Sequence, residues 1–127
     1  MARILLIEDS PTDTAVLTQL LERNGHQVLA SSSAEDGIVL CKREQPDLVI
    51  MDIVLPGMNG FQATRALSRD PETDHIPVVI VSTKGMETDR AWGMRQGARG
   101  YLTKPFSDQE LMDAIAATVT PSAGSPA

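Results

Sequence analysis

Five short apolar segments alternate with longer amphipathic segments along the chain. The apolar segments cover residues 3–8, 27–31, 47–52, 78–81 and 99–103. Most of them are continuously apolar, as is typical of strands buried on both faces of a sheet. The first intervening segment repeats apolar residues at helical spacing: Val16, Leu17, Leu20 and Leu21. This alternation predicts an α/β fold in which a five-stranded parallel sheet is doubly wound by helices.

Local signals predict where the helices begin and end. Four helices are preceded by residues suited to N-capping: Ser10, Ser33, Asn59 and Ser107. Asn24-Gly25 and Pro46 end the first two helices, and Gly97 ends a fourth helix that begins near Glu87. The last helix is predicted to turn Leu111, Ile115 and Val119 inward.

Composition favours one domain in a reducing compartment. With 127 residues and 42% hydrophobic content, the chain can form a single core, predicted to span residues 1–119 and to be followed by a disordered tail at 120–127. Cys41 is the single cysteine and is expected in the core. We find no leader-like start and no apolar run of membrane-spanning length, and therefore expect a cytoplasmic protein without a membrane partner. The net charge of −6 disfavours a nucleic-acid partner.

Chemically active side chains follow four of the predicted strands. Glu8 and Asp9 follow the first, Asp52 the third, Ser82 the fourth and Lys104 the fifth. Since right-handed crossovers bring the carboxyl ends of parallel strands to one edge, these groups are expected to meet there. Three crowded carboxylates favour a bound cation, and a carboxylate nucleophile beside a fixed ammonium suits phosphoryl transfer.

Each of these residues alone also has an ordinary explanation. Acids are common in the loops that follow strands, Lys104 would be a solvated surface residue, and Ser82 would satisfy local backbone groups. Joint placement at the ends of four strands makes coincidence a poor explanation. The two histidines, His26 and His75, lie in separate connections without ligand spacing to each other, and predict no metal site.

Four motifs in order resemble the receiver domain of two-component response regulators. They are Ile-Glu-Asp-Ser at 7–10, Met-Asp-Ile-Val-Leu-Pro-Gly-Met-Asn-Gly at 51–60, Val-Ser-Thr at 81–83 and Gly-Tyr-Leu-Thr-Lys-Pro-Phe at 100–106. The resemblance covers the chain apart from its tail. It implies a flavodoxin-like (βα)5 fold with strand order 2-1-3-4-5.

The resemblance also implies an acceptor and a metal site. Asp52 would accept a phosphoryl group from a sensor histidine kinase or its phosphotransfer domain. Mg²⁺ would be held by Glu8, Asp9, Asp52 and the main-chain carbonyl of Val54. The protein would thus catalyse only its own phosphorylation and dephosphorylation.

Three further residues have roles implied by the family. Lys104 would contact the phosphoryl group, and the Lys104–Pro105 peptide is often cis in receivers. Ser82 and Tyr101 would form the hydroxyl and aromatic switch, moving inward on phosphorylation. Ser82 stands where Thr is commoner, and Val54 and Lys84 where polar or acidic residues often occur, which leaves the lifetime of the phosphoryl group open. Output would pass through protein contacts on the face formed by the fourth helix and fifth strand, in a monomer or weak dimer.

A finer similarity connects the chain with receivers of type IV pilus twitching-motility systems. It is carried by Asn-Gly-Phe-Gln-Ala-Thr-Arg at 59–65, Glu-Thr-Asp at 87–89 and the segment from Trp92 to Gly100. Phe61 and Trp92 also fit the ordinary role of sparse aromatic residues, in a core or between helices.

Two other functions remain open on the sequence. A phosphatase with an aspartyl nucleophile is disfavoured, because the position two residues after Asp52, where an acid/base Asp is expected, is Val54. A pseudo-receiver, a pure binding module, is disfavoured because all the site groups are retained.

Overall fold

The computed structural model describes residues 1–119, which form five strands and five helices in strict alternation. The strands are β1 (Arg3–Ile7), β2 (Gln27–Ser31), β3 (Leu48–Met51), β4 (Val78–Ser82) and β5 (Gly100–Thr103). The helices are α1 (Pro11–Arg23), α2 (Ala34–Glu44), α3 (Gly60–Arg69), α4 (Glu87–Arg95) and α5 (Asp108–Thr118). The predicted tail at 120–127 lies outside the described residues.

The strands form one parallel sheet in the order β2-β1-β3-β4-β5, which confirms the predicted doubly wound fold. Successive side chains of a strand point to opposite faces, so each strand supplies two cores. Ile4 and Leu6 pack with α1 and α5 on one face, whereas Leu5 and Ile7 pack with residues of α2 and α3 on the other. Within residues 1–119, no helix has the length and apolar character needed to cross a membrane.

The predicted caps form as expected. The side chains of Ser10, Ser33, Asn59 and Ser107 each accept a hydrogen bond from the backbone N–H three residues on. Gly25 ends α1 with a φ of 87°, in the left-handed region that glycine enters at low cost. Cys41 is fully buried in the core, where burial raises the pKa of its thiol to about 11.

Three predictions about apolar side chains need correction. Val16 is 59% exposed, because it lies on α1 beyond the stripe that Leu17, Leu20 and Leu21 bury. Trp92 is 47% exposed and is therefore not a core residue, whereas Phe61 does pack against the core. Val119 packs against the core but is the C-cap of α5, not part of the helix.

Candidate functional site

The pairing of β1 with β3 places two carboxylates side by side. Ile7 is in register with Met51, so Glu8 and Asp52 are the next residues of two neighbouring strands. The Asp52 amide donates to the carbonyl of Ile7 at 3.0 Å, which continues the hydrogen bonding between β1 and β3 as far as these two acids. Both acids are buried, with Glu8 3% and Asp52 7% exposed, whereas Asp9 is exposed. One carboxylate oxygen from each of Glu8, Asp9 and Asp52 lies within 4.8 Å of the other two.

Lys104 reaches this cluster from β5. Ser82 is in register with Thr103, and the Lys104 amide donates to the Ser82 carbonyl at 2.8 Å, so the lysine leaves the sheet beside β4. Its Nζ donates to Glu8 Oε1 at 2.9 Å and lies 4.0 Å from Asp52 Oδ2. The peptide between Lys104 and Pro105 is cis, as the family resemblance implied.

Burial and like charge act together on Asp52. Burial, and after it the neighbouring Glu8 carboxylate, raise the pKa of the Asp52 carboxyl to about 6, although the Lys104 ammonium acts in the opposite direction. Burial also lowers the pKa of the Lys104 ammonium, but its hydrogen bonds to Glu8 and Asp13, together with the negative charge of Asp52 and Glu8, outweigh that effect and leave the pKa raised. The site therefore holds more negative charge than one ammonium balances, which favours an added cation.

Ser82 ends β4, the strand next to β3, and Tyr101 lies on the neighbouring β5. Ser82 is fully buried, and its Oγ accepts a hydrogen bond from the Lys84 amide at 3.2 Å. Tyr101 is 9% exposed, and its hydroxyl donates to the Lys84 carbonyl. Burial raises the pKa of the Tyr101 phenol. Both proposed switch residues are thus already inward in this structure.

A loop and a helix complete the site behind Asp52. The amide of Gly60, the first residue of α3, donates to the Ile53 carbonyl at 2.9 Å, and a β-carbon at Gly60 would overlap the carbonyl oxygen of Asp52. The Asp52 side chain accepts from the Ile53 amide at 2.8 Å. Val54 follows with its side chain 58% exposed.

The family profile of the response regulator receiver domain matches residues 4–116. The chain belongs to this family. The receiver is 56% identical over 119 residues to protein PilH of Pseudomonas aeruginosa. That alignment covers 94% of this chain and 98% of PilH. It is 37% identical over 117 residues to the phosphate regulon transcriptional regulatory protein PhoB of Escherichia coli, covering 92% of this chain and 51% of PhoB.

Solved structures of other proteins have the same fold as this receiver. The receiver domain of sensor histidine kinase PA1611 from Pseudomonas aeruginosa, solved with a magnesium ion in its active-site cleft, superposes with a TM-score of 0.86 at 26% identity. That alignment covers 93% of this chain and 97% of the PA1611 domain. Chemotaxis protein CheY4 of Vibrio cholerae, at 23% identity, shares the fold with a TM-score of 0.87 over 94% of this chain and 99% of CheY4.

The donor set of this receiver fits a hard divalent cation. Mg²⁺ prefers one or two carboxylates together with waters and phosphate oxygens, and Glu8, Asp9 and Asp52 offer carboxylate oxygens at one point. Because Asp9 is exposed, the cluster is open to solvent and to an incoming phosphoryl group.

Two residues of the site were missed by sequence reasoning. Asp13 Oδ2 accepts from Lys104 Nζ at 2.9 Å, although its position in the sequence indicated only the first turn of α1. Arg90 lies over the ring of Tyr101, with its Cζ 5.3 Å from the ring centroid. No motif signals either contact, because each joins segments whose relative placement only the fold determines.

Proposed function

We propose that this receiver accepts a phosphoryl group on Asp52 from a histidine kinase, or from its phosphotransfer domain, and signals through phosphorylation-controlled protein contact. The observation that carries the proposal is the buried Asp52 carboxylate, with two further acids within 4.8 Å and the Lys104 ammonium at 4.0 Å. A nucleophile, a cation site and a fixed positive charge are the parts that phosphoryl transfer needs.

Glu8, Asp9, Asp52 and the main-chain carbonyl of Val54 would hold Mg²⁺. When bound, the ion neutralises the oxygens of the transferring group and aligns them with the acceptor. An Asp52 oxygen then forms the bond to phosphorus while the bond to the donor breaks, and the donor leaves with that electron pair. Lys104, already fixed by two carboxylates, donates to a phosphoryl oxygen.

Ser82 and Tyr101 would carry the signal away from the acceptor. A phosphoryl oxygen would give the Ser82 hydroxyl a new acceptor, and movement of the side chain toward it would weaken the bond that Oγ accepts from the Lys84 amide. Tyr101, which is bonded to the same residue, responds to that change. The outcome is a shift of population at the surface formed by α4 and β5, where the output protein would dock.

The similarity to PilH supports a role in chemotaxis-like control of type IV pilus twitching motility. In this proposal residues 1–119 are the receiver, acting as a stand-alone domain. Neither alternative function gains support, since the retained cluster opposes a pseudo-receiver and Val54 stands where a phosphatase needs an acid.

Incubation with a small acyl phosphate and Mg²⁺ tests the chemistry. Wild-type protein and the surface control Asp74→Asn should become labelled to the same level, whereas Asp52→Asn should not. Full labelling of Asp52→Asn would refute the assignment of the acceptor. Failure of the wild type to bind Mg²⁺ at millimolar concentration would favour the pseudo-receiver.

Phosphotransfer profiling against the histidine kinases of the source organism tests the pathway. A kinase of a pilus system that phosphorylates this receiver faster than the others supports the twitching-motility assignment. A preference for an unrelated kinase removes that assignment and leaves the acceptor chemistry intact.

A further inference from the structure

Arg90 of α4 makes three contacts with β5. Its guanidinium carbon lies 5.3 Å from the centroid of the Tyr101 ring, within the range of cation–π attraction. Nη1 donates to Thr103 Oγ1 at 3.1 Å, and Nη2 donates to the Tyr101 carbonyl at 3.4 Å. The Arg90 side chain therefore contacts the ring of Tyr101, the main-chain carbonyl of Tyr101 and the side chain of Thr103.

The other sides of Tyr101 are also enclosed. Its hydroxyl donates to the Lys84 carbonyl. Gly93 lies against the ring, since a β-carbon there would come within 3.1 Å of Tyr101 Cδ2 and 2.9 Å of Ile80 Cδ1. The absence of a side chain at Gly93 lets α4 approach closely enough for Arg90, one helical turn earlier, to cover the ring.

Arg90 is itself exposed, whereas the ring that it covers is 9% exposed. The two hydrogen bonds hold the guanidinium in place, and an exposed cation–π contact shifts a two-state equilibrium by up to about fivefold. That is too small to determine the fold, but large enough to bias a side chain that has two positions of similar free energy.

We propose that Arg90 is a positioning residue that holds Tyr101 in its buried position before phosphorylation. The inference rests on the proposed function, in which the position of Tyr101 is linked to the state of Asp52. If phosphorylation favours buried Tyr101, Arg90 also favours binding of a phosphoryl mimic at Asp52, because linked equilibria are reciprocal. The receiver would then be partly pre-set toward its phosphorylated conformation.

The chain contains one tyrosine, so incorporation of 3-fluorotyrosine gives a single ¹⁹F resonance that reports Tyr101. In Mg²⁺-free buffer, Arg90→Ala should shift this resonance toward that of unfolded protein and increase its H2O/D2O isotope shift. Arg90→Lys should recover part of the change, because it keeps the charge but loses the planar fork. Arg95→Ala is the matched control, because Arg95 is exposed on the same helix and, among the described residues, neither hydrogen-bonds to Tyr101 nor lies over its ring.

An Arg90→Ala resonance identical to that of the wild type would overturn the proposal. So would an equal shift in Arg95→Ala, since the effect would then belong to α4 as a whole. Urea unfolding of each variant, followed by the far-ultraviolet signal, verifies that the proteins compared are folded.

Beryllofluoride with Mg²⁺, a phosphoryl mimic, separates this inference from the proposed function. Wild-type protein should show a small ¹⁹F response, and Arg90→Ala a larger one. The affinity of Arg90→Ala for the mimic should be weaker by a factor of at most about five, because the affinity scales with the fraction of protein in which Tyr101 is buried. A displaced Arg90→Ala resonance that does not respond to the mimic contradicts the phosphorylation switch and supports the role of Arg90. An unchanged affinity contradicts the coupling between Arg90 and Asp52.

Discussion

Two groups of residues around Asp52, the charged flank and the hydroxyl flank, are held by different interactions. The charged flank consists of Glu8, Asp9, Asp13 and Lys104, and its ammonium is held by two charge-assisted bonds of 2.9 Å. The hydroxyl flank consists of Ser82, Lys84, Tyr101 and Arg90, and its two hydroxyls bond to the backbone of Lys84. Bonds between ionised groups are about twice as strong as those between neutral groups. The comparison indicates that the charged flank is the more strongly held of the two, which agrees with our proposal that the hydroxyl flank carries the switch.

The largest expected effect is on the charged flank. Lys104→Met should lower the free energy of unfolding of the metal-free protein by about 2–3 kcal/mol, because it leaves the Glu8 carboxylate buried without its partner. Lys42→Met is the matched control, since Lys42 pairs with Asp70 at 2.8 Å on the surface and should contribute less than about 1 kcal/mol. Urea unfolding in EDTA measures the free energy of unfolding of both variants and of the wild type. Equal losses would mean that the charged flank is no stronger than a surface ion pair.

Removing the acceptor charge should stabilise the metal-free protein. The pKa of Asp52 is raised to about 6 in the folded state, so the folded protein binds this proton more tightly than the unfolded chain. The resulting stability is present below the unfolded pKa and is lost as the pH rises through about 6. Asp52→Asn should therefore be more stable than the wild type by about 1–2 kcal/mol at about pH 8 in EDTA, with little difference near pH 4. A difference that stays constant with pH would contradict this.

Asp13 and Asp36 allow a test between identical local motifs. Each is the third helical residue after a capping serine, but Asp13 also contacts Lys104. We expect Asp13→Asn to reduce stability by about 0.5–1 kcal/mol and Asp36→Asn by less, because both share the helix-end effect and only Asp13 has the ion pair. Thermal unfolding with and without Mg²⁺ measures the stability of both variants. Equal losses of stability in the two variants would mean that Asp13 stabilises only the end of α1 and that its ion pair with Lys104 contributes nothing measurable.

The smallest effect on stability is expected on the hydroxyl flank. Ser82→Ala should change the free energy of unfolding by less than about 0.5 kcal/mol, because the freed Lys84 amide lies in an exposed loop and can bond to water. The same variant should abolish the ¹⁹F response of Tyr101 to beryllofluoride, while Ser82→Thr retains it. A full response in Ser82→Ala would remove Ser82 from the switch.

The fold followed from local signals that act within a few residues. Continuous apolar segments predicted the strands, and the serine and asparagine caps predicted the starts of four helices, all of which are confirmed. The carboxylate cluster was also predictable, because parallel pairing leaves Glu8 and Asp52 at neighbouring strand ends. The cluster is observed, but the roles given to its members stay predictions, as do those of the residues around it: Glu8, Asp9, Asp52, Val54, Ser82, Tyr101 and Lys104.

Contacts between distant segments could not be predicted in the same way. Asp13 and Lys104 are 91 residues apart, and their contact depends on where α1 lies relative to the end of β5. Arg90 covers Tyr101 only because Gly93 lets α4 lie close to the sheet. Val16 has the spacing of a buried residue yet faces solvent, since the width of the buried stripe depends on which helices flank α1.

Gly60 extends the site to a residue that carries no reactive group. Since a β-carbon there would overlap the Asp52 carbonyl oxygen, any side chain at this position must push α3 away from the acceptor loop. In a map of mutational tolerance, the glycine would stand beside the aspartate as an intolerant position. A search for essential chemistry in such a map would therefore find the acceptor together with a residue whose contribution is the space that it leaves empty.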